Sequence, residues 1–287
     1  MEAILCWVVA LRAEANPLIL RERLRALGTG GGLFPVYSSA DGAVRLIISG
    51  VGKVNAAAAT AYLAASLPSE SIVGWINFGI AGSGEVPFGT VVLTGSILDE
   101  ATGRRWFPGT PLYPKGSLTR KGVMTVDRPR EEYPAGGGLI EMEAAGFYPT
   151  ALRRSTTEFC QVVKVVSDGP GNPVSAINQS VVGDLCENAV REMDSWLRGF
   201  RELLQSESVL TADPPGYVEW ISGSHFSVTQ GFQLRRLLQE WGALGIVGYP
   251  DPEDLAGDGR RRGGREALRL IRERLSIFRQ ELFQADE

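Results

Sequence analysis

The chain has 287 residues, of which 44% are hydrophobic and 22% charged, and its formal net charge is −4. These values describe a globular chain with ample core and exclude a disordered, fibrous or membrane-spanning one. The acidic balance argues against a general nucleic-acid binder, so small ligands or protein partners are expected. Three widely separated cysteines without a CxxC motif indicate neither a disulfide framework nor a zinc site, and they favour a reducing cytoplasm.

Apolar runs alternate with helical segments along the first 205 residues, which is the pattern of a sheet covered by helices. The first apolar run follows Glu2 and precedes Arg12, which is unlike a signal peptide, so we predict a core strand there. Strands are predicted at 3–11, 44–49, 72–78, 90–98, 123–126 and 161–166, with a short one leading into Glu141. Helices are predicted at 16–27, 54–65, 144–153 and 174–204.

The character of the sequence changes after residue 205. A helix is predicted at 229–241, and a segment rich in Pro, Gly, Asp and Arg follows it. The final helix, 265–283, carries an apolar stripe at helical spacing, formed by Leu268, Ile271, Leu275, Phe278 and Leu282. We therefore predict two domains, 1–205 and 206–287, the second being a mostly helical extension of unknown role. Trp220, Trp241 and the stripe are expected either to cover a subunit interface or to cap the extension.

Acidic residues stand at the ends of two predicted strands. Glu141 and Glu143 are two positions apart, so an extended backbone would direct both side chains to one face, where they could hold the neighbouring hydroxyls of a ribose. A solvated strand end or the acidic first turn of a helix fits the same spacing. Asp168 ends a buried strand before Gly169, which suits a placed acid and a loop cap equally. Open α/β sheets bind ligands at such strand ends.

Five segments resemble, in order and spacing, the nucleoside phosphorylase and nucleosidase superfamily. These are 10–14, 49–56, 77–82, 141–144 and 167–168, which read ALRAE, SGVGKVNA, NFGIAG, EMEA and SD. Some are similar to methylthioadenosine/adenosylhomocysteine nucleosidases and others to purine nucleoside phosphorylases. The resemblance spans about residues 1–205 and implies a three-layer α/β fold with a central mixed β-sheet covered by helices. It also implies cleavage of the glycosidic bond of a purine, adenine-type nucleoside, and a homo-oligomer, dimer or higher.

The resemblance implies a role for each site residue. Asp168 would supply a proton or hydrogen bond to N7 of the departing base, and Ser167 would orient the base. Glu143, with Glu141 and the Met142 side chain, would hold the sugar hydroxyls and stabilise the oxocarbenium-like charge. Glu14 would activate the attacking water. The remaining substrate-binding residues are Gly79, Ile80, Ala81, Gly82 and Val126, and the glycines predict a tight turn beside the ligand. No metal or other cofactor is implied.

The attacking group is either water or phosphate. Phosphorylases that resemble this chain have an arginine just before the glycine-rich turn, where this chain has Asn77, and Glu14 would repel phosphate. Hydrolysis is therefore favoured, and phosphorolysis is the alternative. The candidate phosphate partners are Arg12, Arg45 and Lys53, each of which could equally be an ordinary surface charge.

Two departures from the family pattern keep other functions open. Ile80 replaces a small hydroxyl residue, and the segment 124–127 lacks the aromatic that stacks on adenine. These differences fit a nucleoside-binding protein without turnover, or a regulatory protein in which the extension carries the function. The loop 99–106 is expected either to approach the 5′ side of the substrate or to be structural.

Overall fold

A computed structural model of the chain describes residues 2–28, 32–109, 118–134, 136–211, 213–223, 225–246, 248–250 and 263–285, without the side chains of 208–211 and 279–285. The chain divides into two compact units, Met1–Leu210 and Thr211–Glu287. The domain boundary predicted after residue 205 lies inside a helix that continues to Thr211. No helix in the described ranges is long and apolar enough to cross a membrane.

Ten strands of the described residues form one mixed sheet in the first unit. They are β1 (Ala3–Val9), β2 (Arg25–Ala26), β3 (Val36–Ser38), β4 (Val44–Ile48), β5 (Ile72–Ser83), β6 (Val91–Asp99), β7 (Arg105–Trp106), β8 (Thr119–Thr125), β9 (Leu139–Glu141) and β10 (Cys160–Asp168). The central strands β4, β1, β5 and β10 run parallel, whereas β9 pairs antiparallel with β5 and β6 pairs antiparallel with β10. The mixed sheet agrees with the predicted fold class.

Five strands close on themselves, because β10 pairs with both β5 and β6, and β8 and β9 connect β6 back to β5. The register of this ring places Gly82 beside Ile140 and Asp168, and Thr125 beside Glu141. Segments that are distant in the sequence therefore end at one edge of the ring.

Helices cover both faces of the sheet, so its strands are buried on both sides. In β1 the side chains of Leu5 and Trp7 join one apolar cluster, and those of Ile4 and Cys6 join the other, as the alternation of a strand requires. The first cluster includes residues of α1 (Arg12–Arg21), α4 (Gln179–Glu192) and α5 (Asp194–Thr211). The second includes residues of α2 (Lys53–Ala65) and α3 (Ala144–Ala151). The result is three layers around a sheet.

Two of the predicted helices were wrong in extent. The first lies at Arg12–Arg21 rather than 16–27, because the chain reverses at Arg23, whose φ is 51°. The predicted helix 174–204 is a short 3₁₀ turn followed by two helices that meet at Met193. Asn178 starts the first of these, α4, by accepting hydrogen bonds from two backbone N–H groups of its first turn.

The second unit contains α6 (Tyr217–Gly223), α7 (Val228–Ala243) and α8 (Gly264–Ala285), which surround a separate apolar core. The stripe residues Leu268, Ile271 and Leu275 are buried in it, Phe278 packs against it, and the side chain of Leu282 lies outside the described residues. Trp220 and Trp241 are buried in the same core, and their indole N–H groups donate to the carbonyls of Pro250 and Gly248 at 2.6 Å. Both tryptophans therefore stabilise the extension itself.

Candidate active site

A cavity of about 150 Å³ opens where β5, β9 and β10 end. It is lined by every predicted site residue except Gly79. These residues are Glu14, Ile80, Ala81, Gly82, Val126, Glu141, Met142, Glu143, Ser167 and Asp168. The ring of strands brings three of the resembling segments to this cavity, and the segments that follow β1 and β4 contribute the other two, with Glu14 and Val51 in the lining.

A larger groove of about 740 Å³ lies between α1 and α4. Its charged side chains are exposed, and some of them form surface ion pairs, such as that between Arg191 and Glu187 on consecutive turns of α4. The smaller cavity instead collects buried ionisable side chains, which are costly to bury and cluster at functional sites. We therefore assign the candidate active site to the smaller cavity.

Gly79 and Gly82 belong to strand β5 and do not form the predicted turn, since the strand continues to Ser83. A Cβ atom on Gly79 would lie 2.6 Å from Oε1 of Glu14, and one on Gly82 would collide with Oδ2 of Asp168. The two glycines are thus required because carboxylates occupy the space of their side chains. Neither glycine has a positive φ.

Glu14 is the third residue of α1 and is almost fully buried. Its Oε2 accepts hydrogen bonds from the backbone N–H groups of Ala10 (3.0 Å) and Leu11 (2.8 Å), and its Oε1 accepts one from Ile80 (3.0 Å). Burial raises the pKa of Glu14 to about 7, although the nearby Lys164 and the N–H donors oppose the shift. A carboxylate with this pKa exchanges protons readily near neutral pH, as a general base must.

Glu141 is held by the protein through both carboxylate oxygens. Its Oε1 accepts a hydrogen bond from the Thr125 hydroxyl, and its Oε2 accepts from the backbone N–H groups of Glu143 (2.9 Å) and Ala144 (2.8 Å). The same oxygen lies 3.0 Å from Nζ of Lys164. Glu141 thus stabilises the start of α3, where a helix favours negative charge, and it also fixes the buried lysine.

Glu143 follows the end of β9, and its backbone already has helical dihedrals, so the extended geometry predicted for this pair is not present. Its Oε1 accepts a hydrogen bond from the backbone N–H of Gly52 at 2.9 Å, and its Oε2 lies 3.5 Å from Nζ of Lys164. Burial raises the pKa of Glu143, Lys164 lowers it and Glu141 raises it further. The two glutamates therefore converge on one lysine.

Lys164 stands at the centre of β10 and is fully buried. Burial alone would lower its pKa, but the carboxylates of Glu141, Glu143 and Glu14 offset this effect, so the pKa of Lys164 is raised and its ammonium group stays charged. Three buried carboxyl groups thus share one cation. Burial is the main reason that the pKa values of Glu14 and Glu143 are raised, and the excess of negative charge raises them further.

Sequence patterns alone missed Lys164, although a lysine inside the otherwise apolar run 161–166 signals a buried ion pair. Tyr133 was missed as well. Its hydroxyl donates to Oδ2 of Asp168 at 3.0 Å, while the Ser167 hydroxyl donates to Oδ1 at 2.6 Å. Tyr133 lies in the loop between β8 and β9, where no motif marks it.

We expect Lys164→Met to lower the free energy of unfolding by about 3–5 kcal/mol at neutral pH, because it leaves Glu141 and Glu143 buried without their cation. Urea denaturation measures the change. Lys121→Met is the matched control, since Lys121 lies on β8 of the same sheet and makes only a 3.4 Å hydrogen bond to the carbonyl of Gly136 among its described contacts. Equal losses in the two variants would contradict a special role for the buried ion pair.

Cations near the cavity are engaged by carboxylates. Nζ of Lys53 lies 2.8 Å from Asp99 and 3.0 Å from Asp127. Arg130 is the one cation among the described residues that line the cavity, and its Nη1 lies 2.6 Å from Oε1 of Glu100, in the loop 99–106. The cavity itself therefore presents an excess of negative charge.

The other candidate phosphate partners lie away from the cavity lining. Arg12 stacks on Tyr37 and donates to Asn16, and the guanidinium of Arg45 lies over the turn at Gly42. Asn77 is buried in β5 and donates to the carbonyl of Val8 at 3.1 Å, so it does not reach the cavity either. The described residues contain no group of three or more His, Cys, Asp or Glu side chains that could hold a metal ion.

No protein-family model and no curated protein sequence matches the chain. Solved structures match about two thirds of it. The apo 5′-methylthioadenosine nucleosidase of Arabidopsis thaliana is 18% identical, with a TM-score of 0.54 and coverage of 69% of this chain and 96% of that one. The futalosine hydrolase of Helicobacter pylori is 14% identical, with a TM-score of 0.51 and coverage of 68% and 98%.

A third match is a 5′-methylthioadenosine/S-adenosylhomocysteine nucleosidase of Colwellia psychrerythraea in complex with adenine, at 18% identity, with a TM-score of 0.50 and coverage of 67% and 96%. These likenesses confirm the predicted fold class: the chain shares the fold of these solved nucleosidases and of the futalosine hydrolase.

Proposed function

We propose that this protein hydrolyses the N-glycosidic bond of a purine, adenine-type nucleoside. One observation carries the proposal: four carboxyl groups, on Glu14, Glu141, Glu143 and Asp168, line one cavity at the ends of the strands. Positive charge develops on the sugar as a glycosidic bond breaks, and carboxylates stabilise such charge. The nucleosidase fold of the solved structures supports the same reaction class.

In the proposed reaction the C1′–N9 bond breaks and its electron pair leaves with the base. Asp168, oriented by Ser167, provides the proton or hydrogen bond at N7 that makes the base a better leaving group. Glu143 holds the 2′ and 3′ hydroxyls and stabilises the oxocarbenium-like sugar, while Glu141 fixes the start of α3 and Met142 borders the sugar. Ile80, Ala81, Gly82 and Val126 complete the pocket wall, and Gly79 leaves room for Glu14.

Water attacks C1′ from the side opposite the base, and its proton passes to Glu14. Water is favoured over phosphate because a dianion needs fixed positive donors. The one cation that lines the cavity in the described part of the chain, Arg130, is paired with Glu100. Phosphorolysis remains the second candidate. It would require Lys53 to leave its partners Asp99 and Asp127 and to bind the phosphate instead.

The assay that tests the proposal is incubation with a panel of purine nucleosides, with and without phosphate, followed by chromatography of the free base. Base release that does not depend on phosphate supports hydrolysis. Release only with phosphate supports phosphorolysis. Nucleoside binding without release in either condition supports a binding protein and contradicts the proposed activity.

The pH dependence of hydrolysis follows from Glu14. Its pKa is raised to about 7, so the neutral acid predominates below that pH and the carboxylate above it. As a base it must be ionised, so we expect kcat/KM to rise about tenfold per pH unit up to about pH 7 and then to level off. A pH–rate profile of the wild-type protein measures this. A rate that is flat from about pH 5 to pH 8 would exclude Glu14 as the base.

We also propose that the protein acts in the cytoplasm as a homo-oligomer, dimer or higher. Its three cysteines, Cys6, Cys160 and Cys186, are free and buried, which suits a reducing compartment. Large apolar side chains such as Leu33 and Val54 are exposed on the single chain, and a subunit interface would cover side chains of this kind. Light scattering of the purified protein measures its mass in solution, and a monomer would contradict the proposed assembly.

A further inference from the structure

The carboxylate of Asp168 is held from two sides. Ser167, its neighbour on β10, donates a hydrogen bond to Oδ1 at 2.6 Å, and Tyr133 donates to Oδ2 at 3.0 Å. Ser167 belongs to a segment of the family resemblance. Tyr133 does not, because it lies in the loop between β8 and β9, 35 residues before the acid that it contacts.

Tyr133 packs against the end of strand β5 and against Gly84, which follows it. A Cβ atom on Gly82 would approach its Cε1 to 2.7 Å, and one on Gly84 would approach its Cβ to 3.0 Å. Contacts this close leave no space for side chains at these two positions. The two glycines therefore leave a flat surface for the ring. Packing of the ring on this surface and the hydrogen bond to Asp168 together fix the position of the hydroxyl.

The phenol acts as a donor to Asp168. Burial, followed by the hydrogen bond to Asp168 and the charge of that carboxylate, raises the pKa of Tyr133 to about 12. The hydroxyl thus keeps its proton at neutral pH. To act on N7, Asp168 must carry a proton, and a protonated carboxyl keeps acceptor capacity beside its O–H group. Oδ2 can therefore accept from Tyr133 while the acid donates its proton to a base in the cavity.

We propose that Tyr133 is a positioning residue for Asp168, which it holds in the orientation that meets N7 of the purine. The inference rests on the proposed function, in which Asp168 is the base-side acid. With Ser167 alone, the carboxylate keeps one fixed oxygen and can rotate about it. With Tyr133 as well, both oxygens are fixed before the substrate arrives, and such preorganisation stabilises the transition state more than it strengthens the binding of the base.

Tyr133→Phe tests the proposal because it removes the hydroxyl and keeps the ring on Gly82 and Gly84. We expect kcat to fall about tenfold and KM to rise by a smaller factor, several-fold at most, since the lost contact matters most in the transition state. Tyr148→Phe is the matched control. Tyr148 is buried on α3, where its hydroxyl donates to the carbonyl of Phe107 at 3.3 Å, and kcat of that variant should be unchanged. Unchanged melting temperatures in both variants confirm that the fold is intact.

A second readout separates this inference from the proposed function. Calorimetry measures the binding of adenine and of hypoxanthine to the wild type, to Tyr133→Phe, and to each in the Asp168→Ala background, which leaves the hydroxyl of Tyr133 without its partner. We expect Tyr133→Phe to weaken purine binding several-fold in the wild-type background and to have no effect when Asp168 is replaced, because the hydroxyl acts through that carboxylate.

The outcomes are distinct. A wild-type protein that binds purine but releases no base from any nucleoside overturns the proposed hydrolysis, whereas the binding cycle still tests Tyr133. Full kcat in Tyr133→Phe overturns the positioning role, and so does an equal loss of purine binding in both backgrounds. A wild-type protein that binds neither purine and cleaves no nucleoside overturns both proposals.

Discussion

Asp168→Asn is expected to abolish release of the free base and to leave the fold intact. The substitution keeps the shape of the side chain, which matters because Gly82 leaves no spare space beside it. The hydroxyls of Ser167 and Tyr133 can rotate to suit an amide. An amide cannot protonate N7, so the base would have to leave as an anion. Chromatography of the released base and the melting temperature of the variant measure the two expectations.

Asp184→Asn is the matched control for this substitution. Asp184 is exposed on α4 of the same unit and does not line the candidate site. The Asp184→Asn variant should therefore release the base at the rate of the wild type. Retention of full activity by Asp168→Asn would remove Asp168 from the mechanism. The positioning roles of Ser167 and Tyr133 would then fall with it.

Glu14→Gln is expected to lower the rate of hydrolysis about 10²–10⁴-fold, the usual contribution of a general base. The variant should still bind a purine base, because Glu14 lies on the side of the cavity that α1 provides, whereas Asp168 lies at the end of β10. Single-turnover hydrolysis and calorimetry with adenine measure the two effects separately.

Glu70→Gln provides the control, since Glu70 is exposed in the loop between α2 and β5. Unchanged hydrolysis in Glu14→Gln would show that water is activated elsewhere. Loss of purine binding together with the rate would instead indicate that Glu14 maintains the cavity through its three backbone hydrogen bonds.

The central strands were predictable because their side chains are apolar and both faces of the sheet are covered. Ile72, Val91 and Cys160 begin strands within one residue of the predicted positions. The first helix was not predictable in the same way. Its start depends on Glu14, whose carboxylate accepts the N–H groups of Ala10 and Leu11, and this local contact outweighs the apolar pattern further along the chain.

The glycine-rich segment was found from the sequence, but its physical reason was not. Composition predicts a turn beside a ligand, whereas Gly79 and Gly82 stand in a strand and make room for carboxylates from α1 and β10. Such a reason depends on which strands are neighbours. The closure of five strands into a ring involves pairings between distant segments, and no local pattern specifies it.

The buried charges illustrate the same limit. Motifs located Glu141 and Glu143, yet the cation that holds them is Lys164, which stands in an otherwise apolar strand and belongs to no motif. Its importance appears only when the registers of β9 and β10 bring the three side chains together. The pairing of Tyr133 with Asp168 depends in turn on the path of a loop that has no sequence signature.

The most direct test of the central claim, attack by water at C1′, is the identity of the sugar product formed in phosphate buffer. A nucleoside that the protein cleaves is incubated with excess phosphate, and the sugar is identified by mass spectrometry. The proposed mechanism predicts the free reducing sugar, formed at the same rate as the base. A sugar 1-phosphate would contradict it and identify the enzyme as a phosphorylase.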